Sequence, residues 1–113
     1  TRFTRSVAIA PAPTVRAFLP ASLAQINRPV TLVTGGADRE APNPVCSEWL
    51  RNQNPKFRHY DLGPDVGHYT FLSLPADPNL RGREEIFTDA PTVQRELVHA
   101  CSLEIVAQCL QAT

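Results

Sequence analysis

Three short apolar runs rich in β-branched residues punctuate the chain: Val7-Ala8-Ile9-Ala10, Val30-Thr31-Leu32-Val33-Thr34 and Phe57-Arg58-His59-Tyr60-Asp61-Leu62. Each is predicted to be a strand. The second is bounded by Pro29 and Gly35-Gly36 and is apolar almost throughout, the pattern of a strand covered on both faces by helices. The third alternates more and belongs nearer an edge. Between them a helix is predicted from about Asn43 to Gln53, with Asn43 as N-cap, Pro44 at the first helical position and Val45, Trp49 and Leu50 on one face. Asn54-Pro55 stops it. A second helix is predicted from about Pro91 to Leu110. There Val93, Leu97, Cys101, Ile105 and Cys109 recur every four residues, with Val98 and Val106 beside them, as one apolar stripe. Asp89 is placed to cap that helix. The stretch from Pro75 to Arg83 is rich in turn formers and reads as an irregular surface loop.

Strand, helix, strand, helix is the order of an α/β fold with a parallel sheet and crossover helices. Three strands make a thin sheet, so the pattern itself suggests further strands upstream of Thr1. Thr1-Arg2-Phe3 carries neither initiator Met nor signal peptide and is read as a boundary that says nothing of the natural N-terminus.

Length and composition narrow the function classes. A chain of 113 residues suits one domain, and 42% hydrophobic with 7% aromatic residues is ordinary for a globular protein. Lys plus Arg equals Asp plus Glu at 11 each. That balance, with no basic run, argues against a nucleic-acid module. No apolar stretch approaches the roughly 20 residues needed to cross a bilayer, so a soluble chain is expected, with its compartment open. Cys46, Cys101 and Cys109 match no metal-finger spacing and are read as buried apolar fillers. On one helix, Cys101 and Cys109 would lie about 12 Å apart along the axis, beyond the roughly 7 Å limit between the Cα atoms of a disulfide.

In open α/β sheets, functional groups collect on loops at the carboxyl ends of the strands. Two titratable residues stand in such places. Asp38 follows the second strand within Gly35-Gly36-Ala37-Asp38-Arg39-Glu40-Ala41-Pro42, and His68 follows the third within Gly63-Pro64-Asp65-Val66-Gly67-His68-Tyr69-Thr70-Phe71-Leu72. Adjacent parallel strands would bring the loops together. A carboxylate there could accept the Nδ1 proton of the imidazole and stabilise the imidazolium formed when Nε2 takes a proton from a nucleophile.

The turn formed by Gly35, Asp38 and Pro42, followed by Gly67-His68, resembles the acid and histidine elements of α/β-hydrolases. The run Gly-His-Tyr-Thr-Phe-Leu, a long loop and a terminal helix with Arg95 and His99 are similar to the dienelactone hydrolase family. The resemblance covers nearly the whole chain. It implies the C-terminal part of an α/β-hydrolase fold, with the three strands as the sixth, seventh and eighth of that sheet. It also implies Asp38 as triad acid, His68 as general base, and an ester or lactone substrate; no cofactor or metal is expected.

One element of the family pattern is missing. A G-x-S-x-G nucleophile elbow should precede the acid and histidine, yet Ser6, Ser22, Ser47, Ser73 and Ser102 all lack the flanking glycines. The serine and the oxyanion hole are expected upstream, supplied by the other half of the same protein. A homodimer through the Val7 to Ala10 edge is the alternative partner. The competing reading is a non-catalytic α/β binding or assembly domain in which Asp38 and His68 are structural, since an Asp after two glycines is commonly a turn residue. His59 is expected to pack within its strand and His99 to lie on the surface or at an interface. Tyr69 and Phe71 are expected to pack beneath the histidine loop, or else to line an acyl pocket. Arg39 is a solvated charge or a partner for a substrate carboxylate. A metal site from Asp61, Asp65 and His68 lacks any recognised spacing.

Overall fold

The computed structural model describes residues 3–111. Ser6–Ile9 forms strand β1, Val30–Thr34 strand β2 and Arg58–Asp61 strand β3, in one parallel sheet of order β1-β2-β3. Ser6 stands opposite Val30 and Ile9 opposite Val33, while Thr31 faces Arg58 and Thr34 faces Asp61. The register sets the carboxyl ends of β2 and β3 level, with β1 ending one residue short of them, and there the loops can meet. β1 lies one residue earlier than its apolar run suggests, because Ala10 turns into the left-handed region (φ 51°) and Pro11 follows. Phe57 falls just before β3 and is buried in the core.

The central strand is buried from Thr31 to Thr34, as its apolar run requires. Its Leu32 faces the two crossovers. The first contains helix α1 (Pro20–Ala24), which the apolar pattern did not reveal, although Pro20 at the first turn is an ordinary helix opening. The second contains helix α2 (Ser47–Gln53). Leu23 of α1, Leu50 of α2, Leu32 and Phe57 form the core cluster, with Ala8, Val15 and Trp49 packed around it. Each such side chain contributes about 1.5–3 kcal/mol on burial.

The second helix starts later than its sequence suggests. Asn43–Val45 is a separate 3-10 turn, and Cys46 at φ −120°, ψ −87° interrupts the chain before Ser47. Asn43 therefore does not cap α2 from the N-cap position; its Oδ1 accepts a bond from the Ser47 hydroxyl (3.3 Å). Asn54 ends the helix and does more than stop it. Its buried amide donates to the carbonyls of Leu23 (3.0 Å) and Ile26 (2.9 Å), tying the end of α1 to the end of α2.

Helix α3 (Arg95–Gln111) covers the opposite face of the sheet, where the Cys109 thiol meets the Thr31 hydroxyl at 3.2 Å. It begins four residues after the expected Pro91, and the expected apolar stripe is buried only in part: Val98 is buried and Ile105, Val106 and Cys109 are half-buried, whereas Leu97 and Cys101 are exposed. Arg95 and Ser102, two polar positions that apolar periodicity does not mark, are buried beside Val98 and make specific bonds. All three cysteines are free, and of these Cys46 alone is fully buried. Among the described residues no helix is long and apolar enough to cross a membrane.

Candidate active site

Two loops meet at the carboxyl end of the sheet, and backbone bonds zip them together. Leu62 donates to the Thr34 carbonyl (2.8 Å), Gly36 to Gly63 (2.8 Å) and Ala37 to Val66 (2.9 Å). The approach is close enough that a β-carbon on Gly35 would sit 2.2 Å from the Val66 carbonyl oxygen. Gly63 turns with φ 139°, a conformation that side chains with a β-carbon rarely adopt. These glycines are why the two loops can lie in contact.

The contact joins Asp38 to His68. His68 Nδ1 lies 2.8 Å from Asp38 Oδ2. The second carboxylate oxygen, Oδ1, accepts the backbone N–H of Ala41 at 2.7 Å, so both oxygens are held and the carboxylate cannot rotate away. The Asp38 side chain is fully buried, while that of His68 is 33% exposed. With Nδ1 engaged by the acid, Nε2 is the ring nitrogen left for another group. This is the arrangement of an acid-oriented general base.

His68 lines a pocket of about 700 Å³ together with Arg39, Glu40, Tyr69, Arg83 and Glu85. Tyr69 packs edge-on against the imidazole, with ring centroids 5.9 Å apart. The Glu40 charge, assisted by burial, pushes the Tyr69 phenol above its ordinary range, so it is present as the neutral hydroxyl. Behind the acid, burial and then the Asp38 charge push the Cys46 thiol up against the opposing pull of Arg16. A thiol held protonated there is a poor nucleophile.

The histidine loop is braced from below by a network in which Asp89 has a different place from the helix cap its position suggests. His68 opens a 3-10 turn, His68–Phe71, and Thr70 in that turn is buried. The Thr70 hydroxyl donates to Asp89 Oδ1 (2.7 Å), and its carbonyl accepts from His99 Nε2 (2.8 Å). Arg95 closes on Asp89 through Nε to Oδ2 (2.9 Å) and Nη2 to Oδ1 (3.0 Å). Asp89 is thus an ion-pair partner within the interior, because a bidentate guanidinium is a stronger partner than free helix N–H groups. Burial alone would raise the Asp89 carboxyl, but the bonds from Arg95 and Thr70 and the Arg95 charge outweigh it and hold the group below its ordinary value. His99, expected on the surface or at an interface, is half-buried against this turn within the chain. Thr70 was not distinguished in the sequence, and the spacing of Arg95, Val98, His99 and Ser102 along one helical face was the available signal.

His59 sits within β3, its Nε2 2.6 Å from the Thr34 hydroxyl. Burial pushes it below the ordinary histidine value, only partly countered by Asp61. Asp61 and Asp65 do not converge on His68. Asp61 accepts the Gly63 N–H (3.0 Å) and Asp65 accepts the Thr92 hydroxyl (2.6 Å). Among the described residues no three His, Cys, Asp or Glu side chains are grouped to hold a metal.

No family model, curated protein or solved structure matches the chain.

Proposed function

We propose that this chain supplies the acid and the general base of a serine hydrolase that cleaves carboxylic esters or lactones, as the likeness to dienelactone hydrolases implies. The observation that carries the reading is the 2.8 Å bond between His68 Nδ1 and the fully held Asp38 carboxylate, set beside a pocket at the carboxyl ends of neighbouring parallel strands. In this reaction Nε2 of His68 takes the proton of a serine hydroxyl as its oxygen attacks the ester carbonyl. The imidazolium, stabilised by Asp38, then protonates the departing alkoxide. Water repeats the cycle on the acyl-enzyme, giving its proton to Nε2 and releasing the acid and the serine.

None of the serines in the 113 residues has the G-x-S-x-G setting, so the nucleophile of this proposal comes from outside them. Among the described residues β1 pairs with β2 alone, which leaves its outer edge open to a strand that carries a serine at its carboxyl end. A second copy of the chain is the other occupant that edge could take.

A serine-directed fluorophosphonate tests the reading on the full-length gene product. Labelling should map to a serine in a G-x-S-x-G turn encoded before Thr1, and His68→Ala should slow it by orders of magnitude. Absence of any labelled serine, or labelling indifferent to His68→Ala, favours the non-catalytic alternative in which the pair is structural.

A further inference from the structure

A buried ion pair is an expensive way to hold a helix to a loop. Removing two charges from water costs several kcal/mol per ion, and well-packed apolar residues of the same size often do as well or better for stability. Arg95 is 1% exposed, and the side chain of its Asp89 partner is 8% exposed. What the pair provides beyond stability is fixed geometry, and its bonds show which parts are fixed. The Arg95 guanidinium reaches Asp89 with two nitrogens, the Ile86 carbonyl at 3.0 Å and the Ser73 carbonyl at 3.4 Å. Asp89 in turn receives the Thr70 hydroxyl. Ile86 and Asp89 lie in the segment that forms one wall of the pocket, which Arg83, Glu85, Thr88 and Ala90 also line. Ser73 and Thr70 flank the end of the turn that carries His68. One guanidinium therefore joins the pocket wall to the histidine turn.

We propose that Asp89 and Arg95 are positioning residues which, through the Thr70 hydroxyl, hold the His68 turn and the facing pocket wall in one register. The inference rests on the hydrolase reading for its kinetic consequence. Thr70 stands two residues from His68 within a single 3-10 turn, so a shift of Thr70 is passed to the imidazole with little damping. Misplacing a catalytic group by about 1 Å costs on the order of 100-fold in rate. His99 holds the same residue from the other side through the Thr70 carbonyl.

Thr70→Val in the full-length protein removes the hydroxyl at nearly constant volume and leaves the Asp89 pair with Arg95 in place. Two readouts apply: steady-state ester hydrolysis, and the downfield proton resonance of His68 Nδ1–H bonded to Asp38, which needs no substrate. The expected result is a kcat about 10 to 100 times lower with KM little changed, and a broadened or shifted resonance. Thr70→Ser should restore both. Asp89→Asn, which keeps an oxygen acceptor for Thr70 but leaves the Arg95 charge unmatched, should move both readouts in the same direction. A Thr70→Val protein with the resonance and kcat of the wild type overturns the proposal, and so does a loss that Thr70→Ser fails to rescue. The resonance decides the positioning role even if no ester is hydrolysed, whereas fluorophosphonate labelling decides the hydrolase reading, so the two failures are distinguishable.

Discussion

Gly35 lies against the carbonyl of Val66 so closely that a β-carbon on it would come within 2.2 Å of the oxygen. No side chain fits there without moving the Val66 backbone, and Val66 is the residue whose carbonyl receives Ala37, next to Asp38. Gly35→Ala is therefore expected to cost about 1–3 kcal/mol, the range for forcing extra volume into a packed site. It should also part the two loops that carry Asp38 and His68. Urea unfolding measures the first effect, and loss of the His68 Nδ1 proton resonance measures the second. Wild-type stability with the resonance intact would show that the loops are free to separate and rejoin.

Asp38 makes two bonds, one to Ala41 N–H and one to His68. Asp38→Asn keeps the shape but offers an amide where the imidazolium needs a negative charge, and it favours the wrong tautomer of the ring. On the proposed hydrolase reading, this substitution in the full-length protein should lower kcat by about 10⁴, as loss of a triad carboxylate does in serine hydrolases. Stability should change far less. Ester turnover beside a thermal melt separates the two.

The sheet was legible because its signals are local. Pro29 and Gly35 bracket Val30–Thr34, and that run became β2 without a residue's change. The nearness of Asp38 and His68 was also legible, since both follow strands that had to be neighbours. What the sequence concealed was the underside of the histidine loop. Apolar spacing placed Leu97 and Cys101 inward beside Val98, but only Val98 is buried and Leu97 is 59% exposed, because the bonds of Arg95 and His99 set which face of α3's first turns meets the fold. Asp89 reads as a helix cap only while its tertiary partners are unknown. Arg95, six residues on, and Thr70, nineteen back, are the partners that displaced that role.

Two depressed carboxyls make a contrast in acid. Asp89 is buried against Arg95, while Glu96 is an exposed partner of Arg81, drawn down to about 2 chiefly by its hydrogen bonds. A carboxyl lowered in the fold adds stability that is present above its unfolded value and disappears as pH falls through the folded one. Both therefore act in the range below about pH 4. Asp89→Asn leaves Arg95 buried without a counter-charge and should cost about 3–5 kcal/mol at pH 7. Glu96→Gln should change little, as exposed pairs usually do. Urea midpoints at pH 7 and pH 3 should show the wild-type advantage over Asp89→Asn shrinking in acid.

His59 gives a separate signature at higher pH. Its ring is disfavoured as a cation by burial beside Thr34, so its folded value lies below the unfolded value of about 6.5. For a base lowered in this way the unfolded chain binds the extra proton first. Stability should be full above about pH 6.5 and decline as pH drops through the folded value. His59→Gln cannot titrate, and its unfolding midpoint should lack that slope between pH 7 and pH 5. If the variant and wild type keep parallel slopes there, another group is responsible.

β1 carries the last test. Ser6 and Ala10 donate their backbone N–H groups to Pro29 and Val33 beside β2, so alternation turns the N–H and carbonyl groups of Val7 and Ile9 away from it. Among the described residues no strand receives them, and Ile9 is also an exposed large hydrophobic. An apolar edge with free backbone groups recruits another strand unless charge guards it. The 113-residue chain on its own should therefore self-associate, giving a light-scattering mass above 12.5 kDa that rises with concentration. Ile9→Lys places a cation on that edge without entering the core and should return the mass toward the monomer value. A chain that stays at 12.5 kDa at high concentration has a guarded β1 edge, and a serine-bearing strand would then have to join the sheet elsewhere.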